Sequence, residues 1–117
     1  MNDNKIFTEY LNQILASLKT IDPKLVMIFG SFSKGIVNEN SDLDLLVVLN
    51  QTEIPKNYDE KLEMKLKVRK LIRDINKKIP IDLIVYTIPE YEAFRKGHSS
   101  FSKEVMKTGK IIYEKAS

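Results

Sequence analysis

The chain has 117 residues, 43% of them hydrophobic, and we expect residues 1–117 to form one domain with a substantial core. The absence of cysteine excludes disulfide and thiolate chemistry, and a single histidine excludes a histidine-rich metal site. The net charge of +3 is only mildly basic, while the lack of a membrane-length apolar run or a signal-peptide pattern predicts a soluble cytoplasmic protein.

Apolar residues recurring every three or four positions predict helices, and short apolar runs predict strands. In chain order, the predicted elements are a helix over 4–19, a strand over 25–29, a short helix over 31–34, a strand over 42–49, a helix over 59–78, a strand over 81–86, a helix from Thr87 to near Gly97, a helix containing Phe101 and Val105, and a strand over 110–113. Thr87 and Glu90 have capping-box spacing, and Gly109 is a predicted helix cap. This order predicts an α/β fold with a mixed sheet of about four strands packed with helices.

The most informative motif is Gly30-Ser31, followed after ten residues by Asp42-Leu43-Asp44. Asp42 and Asp44 are two residues apart, so on a strand both carboxylates project from the same face while Leu43 points into the core. Aspartate is disfavoured in strands, and two carboxylates on one face repel each other unless a cation lies between them. The motif therefore predicts a metal-binding pair.

A third carboxylate, Asp82, lies at the start of the apolar run 81–86. If that strand neighbours the one after Asp42, three carboxylates converge. Carboxylate oxygens suit Mg²⁺, which also binds substrate phosphate oxygens. Gly30-Ser31 directly after a strand is a place where backbone N–H groups can hold a phosphate. A metal site beside a phosphate site indicates phosphoryl or nucleotidyl transfer.

Two segments carry a resemblance to a known family: 28–35, Ile-Phe-Gly-Ser-Phe-Ser-Lys-Gly, and 41–47, Ser-Asp-Leu-Asp-Leu-Leu-Val. They resemble the minimal nucleotidyltransferases of the DNA polymerase beta-like superfamily. That family pattern is Gly-Ser, a spacer with a second glycine, Asp-x-Asp, and a third aspartate on a later strand. The closing segment 101–114 is also similar to the end of short members. The resemblance implies a palm-like nucleotidyltransferase fold.

The resemblance also implies roles for the motif residues. Asp42, Asp44 and Asp82 would be the catalytic carboxylates and the ligands of two Mg²⁺ ions, with Asp82 acting near the attacking hydroxyl as ligand or general base. The residues implied to bind the phosphates of ATP or another NTP are Gly30, Ser31 and Lys34. The chain departs from the family at Phe32, where many members have an arginine.

The function implied by the resemblance is Mg²⁺-dependent transfer of AMP from ATP to a hydroxyl on a partner protein. Short members of the family commonly act as antitoxins of small helical HEPN-type toxins, which would make such a protein the partner. Two alternatives stay open: a non-catalytic antitoxin that masks its partner, and an RNA 3′-end nucleotidyltransferase.

Three further features are interpreted as structural. His98, in a predicted turn, is interpreted as incidental. The aromatic residues of the C-terminal half are interpreted as core or interface residues, because their spacing does not match the interleaved basic-aromatic pattern of a base-stacking surface; they are Tyr86, Tyr91, Phe94, Phe101 and Tyr113. The helix over 61–70 carries charges of both signs and is interpreted as a solvated face, with a partner or nucleic-acid surface as the alternative.

Overall fold

The structure is a computed structural model that describes residues 2–30 and 42–116. Within these ranges the elements follow the predicted order. The helices are α1 (Asn2–Leu18), α2 (Tyr58–Leu71), α3 (Arg73–Lys78), α4 (Ile88–Arg95) and α5 (Ser100–Thr108), and the strands are β1 (Leu25–Phe29), β2 (Leu43–Val48), β3 (Ile81–Tyr86) and β4 (Lys110–Glu114). A single 3₁₀ turn, Lys19–Ile21, follows α1. The predicted helix over 31–34 lies outside the described residues.

The four strands form one mixed sheet in the order β3-β2-β1-β4. Strand β1 pairs antiparallel with both β2 and β4, whereas β2 and β3 are parallel. Parallel neighbours need a crossover connection, and the segment containing α2 and α3 supplies it. The predicted α/β fold with a four-stranded mixed sheet is therefore confirmed.

Two apolar clusters lie on opposite faces of the sheet. Strand β1 is buried throughout, and β2 is buried except at Asp44. One cluster joins the sheet to α1, α2 and α3 and includes Ile14, Leu18, Leu45, Val68 and Ile75. The other joins the opposite face to α4 and α5 and includes Met27, Phe29, Leu46, Tyr91 and Val105. Alternating side chains of β2 thus enter two different layers of the core.

The long helix predicted over 59–78 is wrong in one respect, because the chain breaks between α2 and α3 at Ile72. This residue has φ −107° and ψ 15°, and its N–H donates to the carbonyl of Arg69 at 3.2 Å, one position short of the α-helical acceptor. Its side chain is only 1% exposed. Apolar periodicity did not reveal the break, since Val68, Ile72 and Ile75 all reach the same core from either side of it.

Two predicted helix caps are present. The Glu90 carboxylate accepts the backbone N–H of Thr87 at 2.9 Å, as in a capping box. Gly109 N–H donates to the carbonyl of Val105 at 2.6 Å and closes α5. Glu90 also binds Lys61 Nζ at 3.0 Å, which ties α2 to the start of α4. None of the described helices is both long enough and apolar enough to cross a membrane.

Candidate active site

The sheet register brings two of the three predicted carboxylates to adjacent positions. Asp44 on β2 pairs with Asp82 on the parallel strand β3, and on its other side with Phe29 on β1. Paired positions on neighbouring strands direct their side chains to the same face. Asp42 precedes β2 by one residue and is exposed, as is Asp82, whereas Asp44 is half-buried. The carboxylates therefore lie at the end of the sheet where β2 and β3 begin.

Hydrogen bonds fix the starts of β2 and β3 beside each other. The N–H of Leu43 donates to the carbonyl of Pro80 at 2.8 Å. The side-chain oxygen of Asn76, at the end of α3, accepts the N–H of Ile81 at 2.8 Å. Asn76 thus holds the residue just before Asp82, a positioning role that the sequence analysis did not identify.

Gly30 directly follows β1 and lies against Asp44. Its φ of +73° is in the left-handed region that side chains disfavour. A Cβ added there would overlap Asp44 Oδ2 and lie 3.3 Å from Asp44 Cγ. Glycine is therefore needed at this position for two reasons: the backbone turn, and the close approach of the main chain to a site carboxylate.

Three physical effects raise the pKa of the Asp44 carboxyl. The largest is its partial burial, which disfavours the charged form, and the negative charges of Asp82 and Asp42 add to it. The three carboxylates therefore repel one another across this end of the sheet. A bound cation would relieve that repulsion.

The donor set fits Mg²⁺ in its chemistry, since all three groups offer carboxylate oxygens that a small hard cation prefers. Within residues 2–30 and 42–116, however, no group of three or more His, Cys, Asp or Glu side chains is arranged to hold a metal ion. The parallel pairing of β2 and β3 brings Asp44 and Asp82 into register on one face of the sheet. Closing a coordination shell would need side-chain rotation.

A chain of aromatic rings lies on the same face of the sheet as Asp44. Phe29, whose backbone pairs with Asp44, contacts Phe101 with ring centroids 5.9 Å apart. Phe101 in turn contacts Phe94 at 5.9 Å, and Phe94 contacts Tyr86 at 5.3 Å. Phe101 is 51% exposed, which excludes the core part of its interpretation as a core or interface residue, while the interface part stays a prediction. An exposed ring in contact with the strand neighbour of Asp44 offers a flat apolar surface to a ligand.

This geometry does not bear on the other predicted residues. Ser31 and Lys34, expected at the nucleotide phosphates, lie outside the described residues. His98 is exposed in the turn between α4 and α5, so its interpretation as incidental stays a prediction.

Comparisons with known proteins match nearly the whole chain. The sequence profile of the polymerase beta nucleotidyltransferase family matches residues 9–117. A candidate protein adenylyltransferase from Methanocaldococcus jannaschii is 25% identical over 115 residues, which are 97% of this chain and 100% of the relative.

Two solved structures share the fold. A chain of a toxin–antitoxin complex with AMP-PNP matches with a TM-score of 0.54 and 24% identity, over 89% of this chain and 73% of that one. A chain of the MntA–HpeT toxin–antitoxin complex, in a variant with two aspartates changed to glutamate, gives 0.53 and 22% over the same 89% and 73%.

The family profile spans nearly all of the sequence, and the matched part includes the Gly-Ser motif, the Asp-x-Asp motif and the later aspartate. The chain therefore belongs to the polymerase beta nucleotidyltransferase family and is an enzyme of nucleotidyl transfer.

Proposed function

We propose that this protein transfers AMP from ATP to a hydroxyl group on a partner protein, and that it is the antitoxin that modifies a HEPN-type toxin in the cytoplasm. The main observation that supports the proposed reaction is that Asp44 pairs with Asp82 on the neighbouring strand and lies against Gly30. The likeness to a candidate protein adenylyltransferase supports AMP as the transferred group, and the likeness to chains of toxin–antitoxin complexes supports the partner.

In the proposed reaction, the acceptor oxygen forms a bond to the α-phosphorus of ATP, and the bond from that phosphorus to the bridging oxygen of pyrophosphate breaks. Asp82 accepts the proton of the hydroxyl, and pyrophosphate leaves. Mg²⁺ held by Asp42, Asp44 and Asp82 would supply charge neutralisation at the phosphates. The main chain at Gly30 has no Cβ and so lets the Asp44 carboxylate lie directly against it.

The position of Asp82 supports a macromolecular acceptor. Strand β3 is at the edge of the sheet, and Asp82 near its start is exposed. A hydroxyl on the surface of another protein can reach a carboxylate at such an edge without entering a deep cleft. We assign Asp44, which is half-buried on the inner strand, to the nucleotide instead.

We further propose that Phe101 packs against the base of the nucleotide. Its ring is half-exposed and directly contacts the ring of Phe29, which is the neighbour of Asp44 in the sheet. Stacking on an aromatic side chain is favourable for any base, so this contact would contribute affinity more than selectivity.

The test is label transfer from ATP radiolabelled on its α-phosphate, with Mg²⁺ and the co-expressed toxin or cell lysate. We expect a labelled protein band with the wild type and none with Asp42→Ala/Asp44→Ala. Asp74→Asn, which removes an exposed acid from the first turn of α3, is the matched control and should label normally.

Three outcomes would contradict the proposal. Label found in RNA would indicate the RNA 3′-end activity. Labelling that survives Asp42→Ala/Asp44→Ala would show that these carboxylates are not the catalytic groups. Protection from the toxin by that same double variant, with complex formation intact, would indicate an antitoxin that masks its partner without catalysis.

A further inference from the structure

The outer face of α2 carries a row of exposed apolar side chains. Tyr58 is 75% exposed, Leu62 38% and Leu66 50%. They are spaced four residues apart, so they line one side of the helix, while Val68 on the other side enters the core. Scattered exposed apolar residues need no explanation, but a continuous row on one helix face indicates an interaction surface.

Charge is segregated along the same helix: acids occur only in its first half and, apart from Lys61, which pairs with Glu90, bases occur only in its second half. Asp59 lies in the first turn, and Arg69 and Lys70 lie in the last. Within the described residues, none of the ion pairs involves these three side chains. The helix dipole favours this distribution of sign but accounts for neither the apolar row nor its exposure. A surface that is acidic at one end and basic at the other is complementary to an inverted copy of itself.

A depression lies at the basic end of the row. It has a volume of about 460 Å³ and is lined by Leu66, Arg69, Lys70, Arg73 and Asn76. Tyr58 is the most exposed of the large apolar side chains described, and it lies at the opposite end of the row. A tyrosine ring that entered this depression would meet the Arg69 guanidinium, which packs favourably on the face of an aromatic ring.

We propose that two copies of this chain associate through α2 in an antiparallel pair related by a two-fold axis that passes between Leu62 and Leu66. Leu62 then faces Leu66 of the second copy. Tyr58 enters the depression beside Arg69 of the second copy, and Asp59 lies opposite its Lys70. Each of these contacts occurs twice, as symmetry requires of a two-fold interface.

The pairing leaves the candidate active site open. Helix α2 packs on the sheet face that carries Leu43 and Leu45, whereas Asp44 and Asp82 project from the opposite face. The association is therefore independent of the proposed reaction, and each can fail without the other.

The first test is the mass of the purified chain as a function of concentration, by sedimentation velocity. The wild type should rise from the monomer mass of 13.6 kDa toward twice that value in the micromolar range. Leu62→Glu/Leu66→Glu should stay monomeric, and circular dichroism should show that it is folded. The matched control is Ile111→Glu on β4, which alters a side chain that is 47% exposed away from α2 and should leave the dimer intact.

The second test is a charge exchange, which reports on the antiparallel register. Asp59→Lys and Lys70→Asp should each weaken association by about tenfold or more, because each places like charges opposite one another twice. The double variant Asp59→Lys/Lys70→Asp should recover the wild-type dissociation constant. A wild type that stays monomeric at every concentration, or a double variant as weak as either single one, would overturn the proposal.

Discussion

The two faces of β2 have different roles, although their residues alternate along the same six positions of the strand. On one face, Leu43, Leu45 and Val47 enter the cluster that α1, α2 and α3 cover. On the other face, Leu46 and Val48 are covered by α4 and α5, but the end at Asp44 remains partly exposed. The first face contributes to the core along its whole length. The second face contributes to the core near Val48 and carries the candidate active-site residue Asp44 at its other end.

This difference shows how closely the candidate site depends on strand register. Side chains alternate with a period of two, so a slip of one residue would bury Asp44 and expose Leu45. The buried leucines make that slip costly, and they thereby fix the carboxylate in place. Asp44 and Leu45 are neighbours in sequence but lie on opposite faces of the strand. Substituting each one separately therefore distinguishes the contribution of β2 to the reaction from its contribution to stability.

The largest effect is expected from Asp44→Asn. The change removes a carboxylate from the site, and the rate of AMP transfer should fall by about a thousandfold, the scale seen when one preorganised electrostatic group is lost. Folding stability should not fall, because burial and the charges of Asp82 and Asp42 oppose the ionised form of Asp44. Initial rates with labelled ATP and a urea titration measure the two quantities.

Leu45→Ala should give the converse result. Leu45 is fully buried, so its truncation should lower the free energy of unfolding by about 2–5 kcal/mol. The rate per folded molecule, measured below the unfolding transition, should stay near that of the wild type. A loss of rate as large as that of Asp44→Asn, in protein shown to be folded, would mean that the two faces are not separable.

Gly30→Ala tests the close approach of β1 to the site. The positive φ and the overlap with Asp44 should together cost about 1–3 kcal/mol of stability. The rate should fall as well, because the added methyl group displaces the Asp44 carboxylate. Gly97→Ala is the comparison variant, since Gly97 lies in the turn between α4 and α5 and not beside a carboxylate. Equal losses of rate in both variants would contradict the role given to Gly30.

The smallest effect is expected at Phe101. Phe101→Ala should raise the KM for ATP about tenfold with kcat little changed, since one stacking contact is worth about 1–3 kcal/mol. Phe101→Trp should retain affinity because it keeps a flat ring. Steady-state kinetics over a range of ATP concentrations distinguishes this outcome from a structural defect, which would lower kcat in the alanine variant without a selective change in KM.

The fold was largely predictable from the sequence, and particular elements show why. The strands at 25–29 and 81–86 coincide with the observed β1 and β3, because each is a short apolar run bounded by a glycine, a proline or a polar residue. The break at Ile72 could not be predicted, since buried residues on both sides of it keep the spacing of one continuous helix.

The candidate site was predictable to a lesser degree. Asp42, Asp44 and Asp82 stand out because aspartates at the head of apolar strands are costly without a reason. Asn76 and Phe101 do not stand out, because an asparagine near a helix end and an aromatic residue in a helix are ordinary in sequence. Their positions depend on contacts with Ile81 and Phe29, which are distant along the chain.

Local periodicity and motif spacing are properties of neighbouring residues, and they were enough to predict the class of fold, the family and the carboxylates. Three facts emerged only from the folded chain: Asp44 pairs with Asp82, Gly30 must be a glycine, and Lys61 binds Glu90 while Leu62 and Leu66 are left exposed. These facts arise from pairing and packing between distant segments. The sequence of this lysine-rich helix does not show which side chains anchor it and which form its exposed surface. Only the packing of the folded chain distinguishes the two groups.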